Sequence, residues 1–554
     1  MQYNDYPLYD VQKVSSIREM IELAVRDAGE NIAYKFKEND TVRQVTFREF
    51  ADTVYSLGAF LKKENLSDKH IACIGINSYN WIVTYMTALR GEGVFVPIDK
   101  DLPEDDIIHL ICDSESEVIF YSGKFEEFLS RNKDRLNRVR YFIGFDRKEN
   151  DGRFLSFSNA LEIGEKHDKT DFLKEHSGPD KLKLLVYTSG TTGDAKGVML
   201  SEHNLVSSVY HGLRVSRIYD TGLSVLPYHH TYEAVSDILV SFHNHSTLCI
   251  NESLASIMKN MIIYKPSYIY IVPAIAESMY KRIMKSIRKN GMQEQFASLV
   301  ELSNKMLKDG IDKRREFFGF IHDTFGGRLI KIVCGGAPIR TEVAEFFDNV
   351  GFDFINGYGI TECSPLVCAN HDRFNNPKTV GIRLPCIELK IDSPDKDGIG
   401  EICVRGDVVM LGYYNNPALT TEALRDGWFY TGDYGYINGN DQLVISGRKK
   451  NLIVLNNGKN ICPEEIESYI QNIDCITEAV VFSLKDEDGI ETSLYAEVYI
   501  EEGVKEPKEV LHSIRKACIQ LPQYKQISKV IIRDSAFPKT SSNKIKRQST
   551  TIGG

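Results

Sequence analysis

The run from Leu184 to Val198 carries an apolar stretch into three glycines, four hydroxyl side chains (Thr188, Ser189, Thr191, Thr192) and one lysine, Lys196. Backbone N–H groups, hydroxyl donors and a positive charge gathered at one turn are the parts a polyphosphate cradle needs. The ordinary P-loop is excluded: that pattern ends in Gly-Lys-Ser/Thr, whereas here Ala195 precedes Lys196 and Gly197 follows it, so the magnesium-binding hydroxyl is absent. A second glycine-rich loop, Gly335 to Pro338, follows the apolar run Leu329 to Val333.

Such loops need strands behind them. Short apolar runs, His70 to Ile76, Gly93 to Ile98, Glu117 to Tyr121, Leu182 to Tyr187 and Tyr268 to Val272, alternate with helix-like stretches such as the one carrying Trp81. That alternation predicts βαβ units and a parallel sheet, and loops after parallel strands are where such folds bind ligands. From about Gly381 the texture changes to shorter β-type runs with Gly, Asp and Asn turns. After Arg448 a smaller unit begins, with strands predicted over Ala479 to Ser483 and Ser493 to Ile500.

At 554 residues the chain exceeds what one hydrophobic core organises, so at least two folded units are expected, 1–447 and 448–554. A hydrophobic fraction of 42% with 26% charged residues is ordinary for a globular protein. No run approaches the roughly 20 apolar residues of a transmembrane segment. The polar, acidic start from Met1 to Tyr9 resembles no secretory or transit leader, and the cytoplasm is the expected location. Eleven cysteines without a Cys-x-x-Cys pair fit reduced thiols. A net charge of -10 argues against a nucleic-acid protein. The basic residues Lys539, Lys546 and Arg547 read as a solvated tail.

The Ser/Thr/Gly-rich loop resembles that of the adenylate-forming superfamily, which includes acyl-CoA synthetases, luciferases and the adenylation domains of peptide synthetases. Five further motifs follow the superfamily's order: Val45 to Phe50, Gly357 to Glu362, Gly427 to Asp433, Gly447 to Lys450 and Pro538 to Lys544. The run Gly458 to Glu467 is most similar to acyl-CoA synthetases with long-chain relatives. The resemblance implies an α/β chain. Its large N-terminal domain would have βα-layered sheets and a β-barrel-like subdomain, and its small C-terminal domain would be mobile and α+β.

It also implies roles for particular residues. Thr188, Ser189, Gly190, Thr191, Thr192 and Lys196 would cradle the phosphates of ATP. Gly335, Ala337 and Pro338 would form the wall beside the adenine, where small residues let backbone approach a flat base. Tyr358, next to Gly359, would stack on that base. Thr361 would bond the α-phosphate or the carboxylate, and Glu362 would hold Mg²⁺, a hard cation suited to carboxylate and phosphate oxygens. Asp433 resembles the ribose ligand, with Arg448 as its partner.

Lys544 would reach the forming acyl-phosphate in catalysis, although Ser542-Asn543 replaces the superfamily's usual Thr-Gly before it. Asn tolerates the positive φ that Gly would supply. Lys450 resembles the hinge, Gly458 and Lys459 would face the thiol channel, and His230 matches a position near the substrate carboxylate. Glu202 stands where the superfamily commonly has His. A fatty acid and coenzyme A are the implied substrates, with an acyl carrier protein as alternative acceptor and a non-catalytic nucleotide-binding relative as the other class.

Overall fold

A computed structural model describes residues 1–39, 41–189, 195–454, 460–473, 475–485, 491–500, 506–539, 545 and 547. Two large sheets carry the N-terminal part. The first orders its eight strands Gly412–Tyr413, Ala195–Ser201, Leu182–Ser189, Val94–Ile98, His70–Ile74, Val118–Tyr121, Tyr141–Gly144 and Phe154–Ser156. From Leu182–Ser189 outward these run parallel, as the βαβ alternation predicts, while Ala195–Ser201 and Gly412–Tyr413 are antiparallel. Val94–Ile98 and Val118–Tyr121 are buried along their whole length, the condition of strands covered on both faces.

The second sheet has nine strands, with Thr221–Ser224, Tyr268–Ile271, Lys331–Cys334 and Asp353–Gly359 adjacent and parallel at its centre. The apolar run Leu329 to Val333 predicts this third strand two residues early: Leu329 and Ile330 precede the observed Lys331–Cys334. Ile330 and Lys331 both donate their backbone N–H to the Ser267 carbonyl, and ladder pairing begins only at Lys331.

Two of the sequence motifs turn out to be helix starts. Val45 to Phe50 contains a capping box in which Thr46 Oγ accepts from Glu49 N and Glu49 Oε2 accepts from Thr46 N at 2.7 Å. Ser201 and Asn204 form a second one at the head of the helix Glu202–Val215. The Glu202 departure is structural here: the side chain is buried, and its Oε1 accepts the Ile17 amide at 2.8 Å, joining this helix to the start of Ile17–Ala28.

Ile387–Asp392, Gly400–Gly406 and the long strand Trp428–Ile437 form an antiparallel sheet. Leu424–Arg425 and Leu443–Arg448 also pair with that long strand. An N-terminal strap crosses this part of the molecule. Tyr3 N donates to Asp441 Oδ2 at 2.7 Å, Tyr6 OH donates to the Asn440 carbonyl at 2.9 Å, and Tyr9 stacks on His371 with centroids 5.7 Å apart.

The C-terminal part has a three-stranded sheet, in which Glu491–Tyr499 pairs antiparallel with Glu478–Lys485 and parallel with Ile527–Arg533. Helices Pro463–Gln471 and Pro507–Ala517 pack on it, and its apolar residues form a cluster of their own, including Ile466, Val498, Ile514 and Val530. That separate core is why we propose a domain boundary near residues 447–451.

The tail is not simply solvated. Lys539 pairs with Glu478 at 2.6 Å, and Arg547 is hydrogen-bonded to the buried Glu467. A run of like charges read along the chain hides these acidic partners on another strand and helix. Lys546 lies outside the described residues. All eleven cysteines are free thiols. Among the described residues no helix is long and apolar enough to cross a membrane.

Candidate active site

Strand register builds the phosphate-cradle candidate. In the hairpin of Leu182–Ser189 with Ala195–Ser201, Thr188 lies opposite Lys196 and Ser189 opposite Ala195, so hydroxyl and ammonium residues flank the same turn. Gly190, Thr191 and Thr192, at the tip between them, lie outside the described residues. The next strand, Gly412–Tyr413, pairs with Met199 and Val198. It brings the Tyr413 ring beneath Lys196, whose Nζ is 5.6 Å from the ring centroid.

Tyr413 was not legible in the sequence, yet it joins two of the expected residues, since its OH also donates to Glu362 Oε1 at 2.8 Å. Glu362 sits in the short 3₁₀ turn Thr361–Cys363, directly after the strand Asp353–Gly359 and next to Thr361. It is only 9% exposed. Burial pushes its carboxyl above the ordinary value, and the Tyr413 hydrogen bond opposes that shift. Arg448 also favours the ionised form, and a buried carboxylate in this position suits a hard divalent cation shared with phosphate oxygens.

Asp433 is 3% exposed, and both of its oxygens are engaged. Tyr358 OH donates to Oδ2 at 2.6 Å and Arg448 Nε to Oδ1 at 2.8 Å. Register explains the second contact, because Asp433 and Arg448 are directly opposed across the ladder. A carboxylate presents two acceptor oxygens, the chemistry that a pair of sugar hydroxyls requires. Glu401 supports the turn: its Oε1 accepts Gly432 N at 3.2 Å and its Oε2 pairs with Lys449 at 2.5 Å. Lys450 follows in the turn Lys449–Asn451, where burial and the neighbouring Arg448 and Arg547 lower its pKa.

Gly335 and Gly336, Tyr358 and Gly359 line one cavity of about 90 Å³, together with Ser208, Gly212 and Leu213 of the helix Glu202–Val215. A Cβ on Gly335 would come within 3.2 Å of the Tyr232 ring, so any side chain there requires that ring to shift by a few tenths of an ångström. Ala337 and Pro338 continue the loop outside the cavity wall. From the segment holding His230, the residues that line the cavity are Tyr232 and Ser236. His230 itself precedes the helical turn Thr231–Glu233, with its ring 4.1 Å from that of His229. His229 Nε2 lies 3.5 Å from Asp99 Oδ1, and burial lowers its pKa. Gly458, Lys459 and Lys544 lie outside the described residues.

Behind Tyr232 lies a feature the sequence did not reveal. Glu233 and Asp237, one before and one within the π-helical turn Ala234–Leu239, are fully buried and interact with each other. Glu233 Oε1 accepts from Ser224 Oγ at 2.6 Å, and Asp237 Oδ1 accepts from Ser241 Oγ at 2.9 Å. Burial is the first cause raising both carboxyls, Asp237 to about 7.

A carboxyl whose folded-state pKa is raised binds a proton in the native state that the unfolded chain has already lost. It therefore contributes stability that is present below the ordinary carboxylate pKa and lost as pH rises through the folded value. The unfolding free energy from thermal or urea titrations should thus fall between about pH 4 and 7, by up to about 1.4 kcal/mol per pH unit for one proton. Asp237→Asn should flatten that slope. Equal slopes in both proteins would rule out a buried neutral pair.

These sheets, with the small C-terminal unit beyond Arg448, form the fold of the adenylate-forming enzymes. ATP-bound MatB from Rhodopseudomonas palustris superposes with a TM-score of 0.78 at 22% identity, covering 96% of this chain and 97% of that one. o-Succinylbenzoate CoA synthetase from Bacillus subtilis, in complex with its acyl-adenylate, gives 0.74 at 21% identity, covering 96% and 97%. The chain belongs to the AMP-binding enzyme family, whose profile matches residues 21–414, with the AMP-binding enzyme C-terminal domain matching 450–552.

Similar curated proteins include long chain acyl-CoA synthetase 4 of Arabidopsis thaliana, 27% identical over 79% of this chain and 71% of that protein. Long-chain-fatty-acid--CoA ligase 5 of Rattus norvegicus is 27% identical over 84% and 73%. The chloroplastic long-chain-fatty-acid--[acyl-carrier-protein] ligase AEE15 of Arabidopsis thaliana is 26% identical over 82% and 72%. The protein is an adenylate-forming acid–thiol ligase of this family.

Proposed function

We propose that the chain activates a medium- or long-chain fatty acid as its acyl-adenylate and passes the acyl group to coenzyme A. A carboxylate oxygen attacks the α-phosphorus of ATP, the α–β anhydride bond breaks and pyrophosphate leaves. The thiol sulfur then attacks the acyl carbonyl, its proton goes to solvent and AMP leaves. The observation supporting an apolar acid is the cavity beside Gly335 and Tyr358, whose walls carry Leu213, Val240, Leu366 and small hydroxyls but, among the described residues, no charged side chain. A dicarboxylate or an amino acid would leave a second charge unpaired there.

In this reading Asp433 and Arg448 hold the ribose, Tyr358 and Gly335 flank the adenine, and Lys196 with the hairpin tip holds the phosphates. Glu362 would hold Mg²⁺, which would neutralise phosphate charge. Thr361 sits next to it to orient the acid. Lys544 serves the first half-reaction, Lys450 is the hinge, and Gly458 and Lys459 face the incoming thiol. Most of the catalysis is positioning and electrostatic stabilisation.

A cavity of about 150 Å³ holds a benzene ring, so about 90 Å³ admits a short acyl segment, and a long chain needs side chains such as Leu213 or Leu366 to turn aside. A Cβ on Gly212 would meet only Leu366 Cδ2, at 3.2 Å. Gly212→Val should therefore fill the cavity and shift preference towards shorter acids by about tenfold or more, measured as kcat/KM ratios. An unchanged ratio would place the acyl chain elsewhere.

Carboxylate-dependent ATP–pyrophosphate exchange from acetate to stearate, followed by thioester detection with coenzyme A and with an acyl carrier protein, tests the whole assignment. Exchange confined to dicarboxylates or aromatic acids would overturn the fatty-acid reading. The carrier protein as sole acceptor would favour the alternative that the chloroplastic relative suggests.

A further inference from the structure

A second cluster of metal-ligating side chains lies outside the nucleotide and acyl sites. One ring nitrogen of His211, the sulfur of Cys386 and a carboxylate oxygen of Asp407 all lie within 4.8 Å of one another. They come from three separate places in the chain, and the fold accounts for their meeting. Cys386 and Asp407 flank the ladder pair Ile387↔Gly406, so they are the next opposed residues beyond the antiparallel strands, and Asp407 N donates to the Cys386 carbonyl at 3.3 Å. The helix Glu202–Val215 is tied to the same corner. Asn204 Nδ2 donates to the carbonyls of Asp407 at 2.8 Å and Val409 at 3.0 Å. His211 lies about two turns further along that helix.

The imidazole is the informative member. His211 Nδ1 is buried and has no hydrogen-bond partner among the described residues. A buried polar nitrogen left unmatched costs free energy that a ligand bond would remove. Arg214 lies over the Tyr210 ring at 5.5 Å, and its charge, with that of Lys13, still reaches His211, opposed by the Asp407 carboxylate. On the open side His203 Nε2 stands 3.4 Å from Asp407 Oδ1, and both side chains are exposed. A fourth coordination position is thus available to His203 or to water.

We propose that His211, Cys386 and Asp407 bind one divalent cation of the zinc class. Nitrogen, sulfur and oxygen donors together suit a borderline-soft ion and not magnesium. Bonds of about 2.0–2.3 Å set tetrahedral ligands about 3.5 Å apart, so closing the cluster takes side-chain rotation of about an ångström. Binding replaces the Cys386 thiol proton, which is released to solvent, and the two anionic ligands balance the ion's charge. The site would fasten the helix whose Ser208, Gly212 and Leu213 line the acyl cavity.

The test uses the full-length protein, dialysed against chelator and titrated with Co²⁺ as a spectroscopic substitute for zinc. One equivalent should produce tetrahedral d–d bands and a near-ultraviolet thiolate-to-cobalt absorption, both displaced by Zn²⁺. Cys386→Ser should abolish the thiolate band, whereas Cys112→Ser, at an exposed cysteine outside the cluster, should retain it. His211→Ala should weaken Co²⁺ binding at least tenfold, with far-ultraviolet circular dichroism confirming the fold of each variant. No thiolate band in the unmodified protein, or a band that survives Cys386→Ser, overturns the proposal.

Discussion

Asp433→Ala is expected to lower kcat/KM for ATP by about 10²- to 10³-fold, chiefly through a higher KM. The carboxylate is buried, accepts from Tyr358 and pairs with Arg448, so truncation removes the group proposed to bind the ribose and frees two donors it had oriented. Removing one partner from a buried, hydrogen-bonded charge pair costs about 2–5 kcal/mol, of which about 1.4 kcal/mol corresponds to each factor of ten. Asp433→Asn keeps an acceptor for one hydroxyl and should fall between the two proteins. The measurement is pyrophosphate exchange against ATP concentration, with melting temperature as a check on folding. A variant that melts lower but keeps its KM for ATP would reduce Asp433 to a structural role.

Lys544→Ala should slow adenylation by about 10²- to 10³-fold, the usual loss when one donor aimed at developing charge is removed. Thioester formation from chemically prepared acyl-adenylate should stay within a few-fold of the unmodified rate. That split is the diagnostic result, because a lysine that merely stabilised the fold would depress both half-reactions alike. Lys544→Arg keeps the charge but changes its reach and hydration, and should recover only part of the loss. Adenylation at the unmodified rate in Lys544→Ala would remove the residue from the active site.

The sequence made the local devices of this site legible and left its long-range contacts unread. The glycine-rich loop after Leu182–Tyr187 was legible because glycine, hydroxyl and lysine residues crowd a few positions after an apolar strand, whereas the returning strand Ala195–Ser201 was not. The partnership of Asp433 and Arg448 was implied by the resemblance alone, and the ladder register supplies the physical reason that their spacing does not state. Tyr413 was invisible, because its two partners stand far away in the chain and nothing in its own neighbourhood signals either contact. The carboxyl pair of Glu233 and Asp237 was hidden for another reason: at helical spacing two acids read as a solvated face, and only packing reveals that they are enclosed. Arg547 and Lys539 failed in the same way. The boundaries of parallel strands came within a few residues, since a strand buried on both faces must be apolar throughout.

The strap from Tyr3 to Tyr9 bears on the order in which the molecule is assembled. Tyr3 and Tyr6 are held by Asp441 and Asn440, more than 430 positions later in the chain. During synthesis at about 5–20 residues per second, these early residues wait roughly 20–90 s before their partners exist. Their contacts with Asn440 and Asp441 can form only once nearly the whole large domain has been synthesised. For that interval Tyr3 and Tyr6 lack these partners, whereas Tyr9 meets Arg214 and His371 sooner. Cleavage within the first ten residues, measured on ribosome-bound chains stalled before and after Asp441, would time that closure.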